Sequence, residues 1–301
     1  MKTPNKKVIY AGIRLNKIVV IQSLESREPQ TGELVRDEIA HKLEEHQSNL
    51  SVEFVACESC KEFLDILKRL TSEATVEKSI PLIHVECHGD SVQGLEFANA
   101  STLSWTDLAD ALKKLNIATR FNLVAVFSAC FGGHFLGQMG SALEPAPCWC
   151  MVAPTDTVDP GEILAAFRSF YSALINTNDI GVASQKLSSI NLSSGSWFAQ
   201  TAEAWFEMLL NSYVKEQCTK HASRLRIKKL QLEILQNGRH ASMGSLKRQL
   251  KKTNRATLLD DCFSNYFITD LVPENNRRFN HARQRVREVF DELRRTDKYI
   301  I

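Results

Sequence analysis

The chain has 301 residues and a mass of 34.0 kDa, which leaves room for one large domain or two. Hydrophobic residues at 44% and charged residues at 24% are globular values and exclude a chain disordered throughout, and 13 Gly with 8 Pro exclude collagen-like and Pro-rich chains. Residues 1–214 hold 17 Lys/Arg against 25 Asp/Glu, residues 215–256 hold 12 against 2, and residues 257–301 hold 8 of each, so a basic segment follows an acidic body.

The longest apolar runs, such as Ile18–Ile21 and Leu123–Phe127, are strand-sized, and no stretch is long enough to span a membrane. The N-terminus has a basic start but no long apolar core and no small-residue cleavage site, so no signal peptide is expected. Eight cysteines, at 57, 60, 87, 130, 148, 150, 218 and 262, are then read as reduced thiols of a cytoplasmic protein rather than as a disulfide framework.

In chain order, Lys17–Leu24 is a β-branched run that predicts a buried strand. Leu34, Val35, Ile39 and Leu43 give Gly32–His46 a helical period. Ser51–Cys57 alternates as a strand, and Lys61–Leu70 carries a broad apolar helical face. Pro81–Gly89 predicts a strand ended by glycine, and Gly94–Ala98 a short strand or turn extension. Ser104, with Asp107 three residues on, predicts a helix N-cap ahead of Leu108, Ala109, Leu112 and Leu115. Asn122–Ala129 is the continuous apolar run expected of a strand inside a parallel sheet, and Cys148–Pro154 is the next strand. Asp159 caps a predicted helix through Glu162–Ile175. From about Gly195 the pattern predicts helices only, beginning with Trp197–Tyr213, broken at Asn237-Gly238 and closing with Asn280–Arg295.

Strands alternating with helices predict a mainly parallel sheet covered on both faces, with ligands bound beyond the carboxyl ends of the strands. Two strand ends carry chemistry: His84-Val85-Glu86-Cys87-His88-Gly89-Asp90 and Ser128-Ala129-Cys130-Phe131-Gly132-Gly133. A histidine and a cysteine there, 42 residues apart, meet at one sheet edge. A thiolate is the nucleophile, and a neighbouring imidazole accepts its proton. The backbone amides of Gly89 and Cys130 are candidates to polarise a carbonyl as an oxyanion site. The plain alternative is a packed strand cysteine and a core histidine; the pair together, each closely followed by glycine, favours a site.

These residues carry a resemblance. Ser128-Ala129-Cys130-Phe131-Gly132 with His88-Gly89 upstream resembles the caspase signature. The ordered set of His88-Gly89, Leu103-Ser104-Trp105-Thr106-Asp107-Leu108, Ala129-Cys130-Phe131-Gly132-Gly133, Val152-Ala153-Pro154-Thr155-Asp156 and Phe170-Tyr171 is more similar to the CHAT peptidase family of clan CD, relatives of caspases and separases. The resemblance covers roughly residues 15–192 and not the helical tail. It implies a caspase-like three-layer α/β/α sandwich with a mainly parallel sheet, over residues 1–192; the pattern beyond, outside the resemblance, predicts an all-helical region over 193–301. It also implies a cysteine endopeptidase with His88 and Cys130 as the dyad, acting on a specific protein substrate, with no cofactor and no third catalytic residue demanded. Bacterial members often serve as regulated proteases in antiviral defence, which implies activation by a partner protein or ligand.

Asp156 follows the strand after the cysteine strand and is the candidate to hold a basic substrate side chain; a turn-fixing role before Pro160-Gly161 fits its position as well. Cys57/Cys60 and Cys148/Cys150 have ligand-like spacings but stand 88 residues apart, so no metal site is expected. His84 and Glu86 share a strand face with His88 and are expected to pair beneath the site rather than bind metal; His134 is read as a surface residue. The basic segment fits an acidic partner, the acidic body of the same chain in a salt-sensitive docking, or a nucleic acid; it lacks aromatic residues for base stacking, so nucleic acid ranks lower. A non-catalytic interaction module and a nucleic-acid-binding regulator are the rival readings.

Overall fold

The computed structural model describes residues 14–139, 141–256, 258–296 and 298–300; the N-terminal stretch read for a leader lies outside them. The chain folds as two units. The first runs to Met139 and resumes over Ala146–Ala202; the second comprises the chain from Glu203 onward with the short segment ending at Pro145.

The first unit is built on six strands: β1 (Lys17–Gln22), β2 (Ser51–Ala56), β3 (Pro81–Glu86), β7 (Val124–Ser128), β8 (Cys150–Pro154) and β9 (Trp197–Thr201). Their order is β2-β1-β3-β7-β8-β9, parallel except for β9, which runs antiparallel to β8. Every residue of β3, β7 and β8 is buried, as continuous apolar runs in a central parallel sheet require, whereas β2 at the edge is only half-buried.

The crossovers dictate the layers. The chain leaves β1 through α1 (Thr31–Glu45) in one direction, then returns past β1 through α2 (Cys60–Val76) and continues through α3 (Trp105–Ala118) in the other. Right-handed connections put α1 on one face and α2 and α3 on the opposite one. Accordingly α2 packs on α3, and α1 packs on α4 (Pro160–Thr177), which in turn holds α5 (Ile180–Ser188). The expected three-layer sandwich with a mainly parallel sheet is what the chain forms.

The predicted caps hold. Ser104 accepts the Asp107 amide at 3.1 Å, and Asp159 accepts the Gly161 amide at 2.8 Å while Glu162 reaches back to the Asp159 amide. A small antiparallel sheet leaves the end of β3: β4 (His88–Asp90), β5 (Gly94–Glu96) and β6 (Thr102–Leu103). Asp90 closes the β4–β5 turn by accepting the amides of Val92 and Gln93, which holds its carboxyl below the usual range.

One element departs from the sequence reading. Trp197–Thr201 is a strand, not the start of a helix, and helix α6 (Ala202–Gln217) follows it directly. Trp-Phe-Ala-Gln-Thr is rich in strand formers, and pairing with β8 along its whole length satisfies its backbone. The first unit therefore includes the last strand of the sheet, past residue 192.

The second unit is helical: the body of α6, then α7 (Lys220–Gln236), α8 (Met243–Ala256), α9 (Leu258–Tyr266), α10 (Asn275–Arg278) and α11 (Asn280–Arg294). Phe206, Phe263, Tyr266, Phe267 and Phe279 form its aromatic core, with Phe267 and Phe279 stacked at 4.6 Å. Half-buried Glu207 of α6 pairs with Arg285 of α11. The basic segment forms α7 and α8, packed on each other. No described helix is long and apolar enough to cross a membrane.

A buried polar chain ties the sheet to its helical layer. Glu86 of β3 accepts Thr31 Oγ1 of α1 at 2.8 Å on one oxygen and faces His84 Nε2 at 2.7 Å on the other; His84 Nδ1 lies 2.8 Å from the Tyr171 hydroxyl of α4. A carboxylate only accepts, so His84 Nε2 bears a proton toward Glu86, and Nδ1 pairs with the Tyr171 hydroxyl. Burial, with Glu86 nearby, pushes the Tyr171 hydroxyl well above its ordinary pKa, so it remains a donor. Replacing Tyr171 with Phe leaves the buried His84 Nδ1 without its partner. The expected cost is about 1–3 kcal/mol, read as a lower urea midpoint with unchanged native circular dichroism; an unchanged midpoint contradicts the chain of bonds.

Candidate active site

The site is set by strand register. β3 and β7 are neighbours, with Glu86 opposite Ser128. Two residues beyond the end of each strand come His88 and Cys130, and both line one cavity at that sheet edge. Gly89 makes the approach feasible: a Cβ there would lie 2.1 Å from the Cys130 carbonyl oxygen and 3.2 Å from the Ala129 Cβ.

The turn after the cysteine is sharp. Phe131 takes a left-handed φ of 58°, an uncommon conformation for an aromatic residue, and donates its amide to the Asp156 carbonyl at 3.2 Å. The Gly132 amide returns to the Ala129 carbonyl at 3.1 Å. Among the described residues the Cys130 amide has no acceptor, so it is available to a ligand.

His88 and Cys130 line one cavity of about 100 Å³. No hydrogen bond joins them; the ring is half-exposed and the thiol is half-buried. Leu24, Val158 and Ile163 give the cavity apolar walls, and Glu28, Glu86 and Ser128 supply polar groups. Among the described residues no Lys or Arg lines it. Ser128 Oγ is buried there without a hydrogen-bond partner.

Sequence reasoning missed Glu28. Its carboxylate lies 2.7 Å from His88 Nε2, from a loop sixty positions earlier in the chain. A carboxylate only accepts, so Nε2 carries a proton toward Glu28, which leaves Nδ1 as the nitrogen able to act as a base. No periodicity marks a loop glutamate among so many; the one signal is its place after the first strand, at the edge where ligands bind.

Asp156 comes close through its backbone but does not line the cavity. Its carboxylate accepts Ser194 Oγ at 2.7 Å and the Thr157 amide at 2.8 Å, and these bonds hold its pKa below the ordinary value. Gly195 permits this, with a left-handed φ of 67° and no room for a Cβ against the Asp156 Cβ at 2.6 Å. His84 and Glu86 pair beneath the site, as expected. His134 is exposed and sets its ring edge-on to Phe131 at 5.8 Å. Among the described residues no three His, Cys, Asp or Glu side chains converge to hold a metal ion.

The thiols differ in exposure. All eight cysteines are free; only Cys60 and Cys130 are not fully buried. Burial pushes Cys57 up to about 11, Cys148 to about 12 and Cys262 to about 11, and Cys87 well above its usual value; burial and then Asp107 raise Cys60. Iodoacetamide at neutral pH is therefore expected to modify Cys130 first in the native protein, with Cys57, Cys148 and Cys262 reacting only on unfolding. Peptide mass mapping of a time course reads this out, and uniform labelling would contradict it.

No known family model and no curated protein matches the chain. Among solved structures the chain is similar to the Drosophila initiator caspase Dronc, with 12% identity and a TM-score of 0.47, over 67% of this chain and 87% of that one.

Proposed function

We propose that the chain is a cysteine endopeptidase in which Cys130 is the nucleophile and His88 its proton acceptor. The observation that carries this reading is the meeting of the two side chains in one cavity at neighbouring parallel strand ends, beside a Cys130 amide with no acceptor among the described residues. The thiol gives its proton to His88 Nδ1, and the thiolate attacks the substrate carbonyl carbon. The resulting oxyanion is received by the amides of Cys130 and Gly89, each donor of this type contributing about a hundred- to a thousandfold in rate. The imidazolium then protonates the departing amine. Water hydrolyses the thioester, giving its proton to His88 and restoring the thiol.

The cavity has room for one side chain of medium size. Glu28 and Glu86 line it with no compensating Lys or Arg among the described residues, which opposes an acidic side chain before the scissile bond. The family suggested by the motifs, and activation by a partner in a defence setting, belong to this proposal as well. A non-catalytic module would have no use for both the ring and the thiol.

The decisive variant is Cys130→Ala. It is expected to lose at least about a thousandfold of peptide cleavage with unchanged melting temperature, and retained cleavage would remove Cys130 from the mechanism. Asp156 is proposed to bias the residue before the cut through the loop it holds beside Phe131. Asp156→Asn should change the ratio of cleavage after Arg and after Leu in paired peptides; an equal loss on both would assign it to loop structure alone.

A further inference from the structure

We infer that Glu28 is a positioning residue that completes a Cys130–His88–Glu28 relay. The inference rests on the peptidase reading above and deepens it. Glu28 occupies one ring nitrogen, with Oε1 2.7 Å from Nε2, so Nδ1 is the nitrogen left to take the thiol proton in the cavity that His88 and Cys130 share. Holding the proton on Nε2 keeps the ring in the tautomer that can act as base. When the thiol proton moves to Nδ1, the ring becomes a cation, and the carboxylate stabilises it without any movement of its own.

The loop around Glu28 is built to keep that carboxylate in place. Its second oxygen accepts the Glu25 amide at 2.7 Å, and its own amide donates to the Glu25 carbonyl at 2.9 Å. Gln30 Nε2 donates to the carbonyls of Glu25 at 2.9 Å and Glu28 at 2.8 Å. Gln30 Oε1 accepts Gln22 Nε2 at 2.7 Å, and Gln22 Oε1 accepts the Gly32 amide at 2.8 Å. Gln22 is the buried last residue of β1, so a continuous run of hydrogen bonds connects the sheet to the Glu28 carboxylate. A loop glutamate with only a solvent role would need none of this fastening.

The experiment uses the full chain and two readouts that need no known substrate: the rate of iodoacetamide alkylation at Cys130, where the S–C bond forms as iodide leaves, and the ¹⁵N shifts of the His88 ring. In the wild type the ring should hold its proton on Nε2. Glu28→Ala should mix the tautomers and slow Cys130 alkylation by about tenfold or more. Glu28→Gln, which keeps an acceptor but loses the charge, should retain the tautomer and slow alkylation by less. Gln30→Ala, two bonds away, should have a smaller effect in the same direction. The Gln variant also decides the matter should the Ala variant fold poorly. Wild-type tautomer and wild-type alkylation in both Glu28 variants would overturn the relay. Failure of the peptidase reading has a different signature, cleavage that survives Cys130→Ala.

Discussion

The register between β3 and β7 is the constraint on which the site depends. With Glu86 opposite Ser128, His88 and Cys130 leave the sheet side by side, and a slip of one residue would turn one of them to the opposite face. Several features hold that register. Both strands are fully buried, so the sheet cannot shift without exposing apolar surface. The Thr31–Glu86–His84–Tyr171 chain fixes β3 to the helices of one face. Gly89 then lets the β3 end lie against the Cys130 carbonyl, and the left-handed Phe131 turns the backbone away immediately after the thiol.

The electrostatics follow from the same geometry. The two carboxylates near His88 differ in their surroundings. Glu86 is buried and has both oxygens occupied by His84 and Thr31, so it serves the fold. Glu28 lies on a loop and directs one oxygen at the half-exposed His88 ring. Desolvation holds the buried cysteines protonated, and Asp107 adds to the same effect at half-buried Cys60, whereas the Cys130 thiol shares a cavity with the His88 ring.

Much of this was legible in the sequence, and the omissions have physical causes. The central strands announce themselves as unbroken β-branched and apolar runs because both of their faces are covered. The caps at Ser104 and Asp159 are local signals and were readable as such. β9 was not, because an edge strand that is half-buried between its two buried ends has neither a continuous apolar run nor clean alternation, and the helix following it without a loop absorbs its pattern. Glu28 was hidden for a different reason. Its partner is sixty positions away, and the hydrogen bonds that aim it run through backbone carbonyls and two glutamines with no motif of their own. Asp156 shows the converse: its place along the chain suggested a substrate contact, while its carboxylate is bonded to Ser194 and the Thr157 amide.

The register, the cavity and the two amides converge on one place for a substrate carbonyl. An experimental structure of the full chain treated with a peptidyl electrophile that mimics the scissile carbonyl tests it most directly. The expected result is a covalent bond to Cys130 Sγ, the carbonyl oxygen within about 2.7–3.1 Å of the Cys130 and Gly89 amides, and the adjoining side chain in the cavity walled by Leu24, Val158 and Ile163. Reaction at another cysteine, or a Cys130 adduct whose carbonyl turns away from both amides, would contradict it.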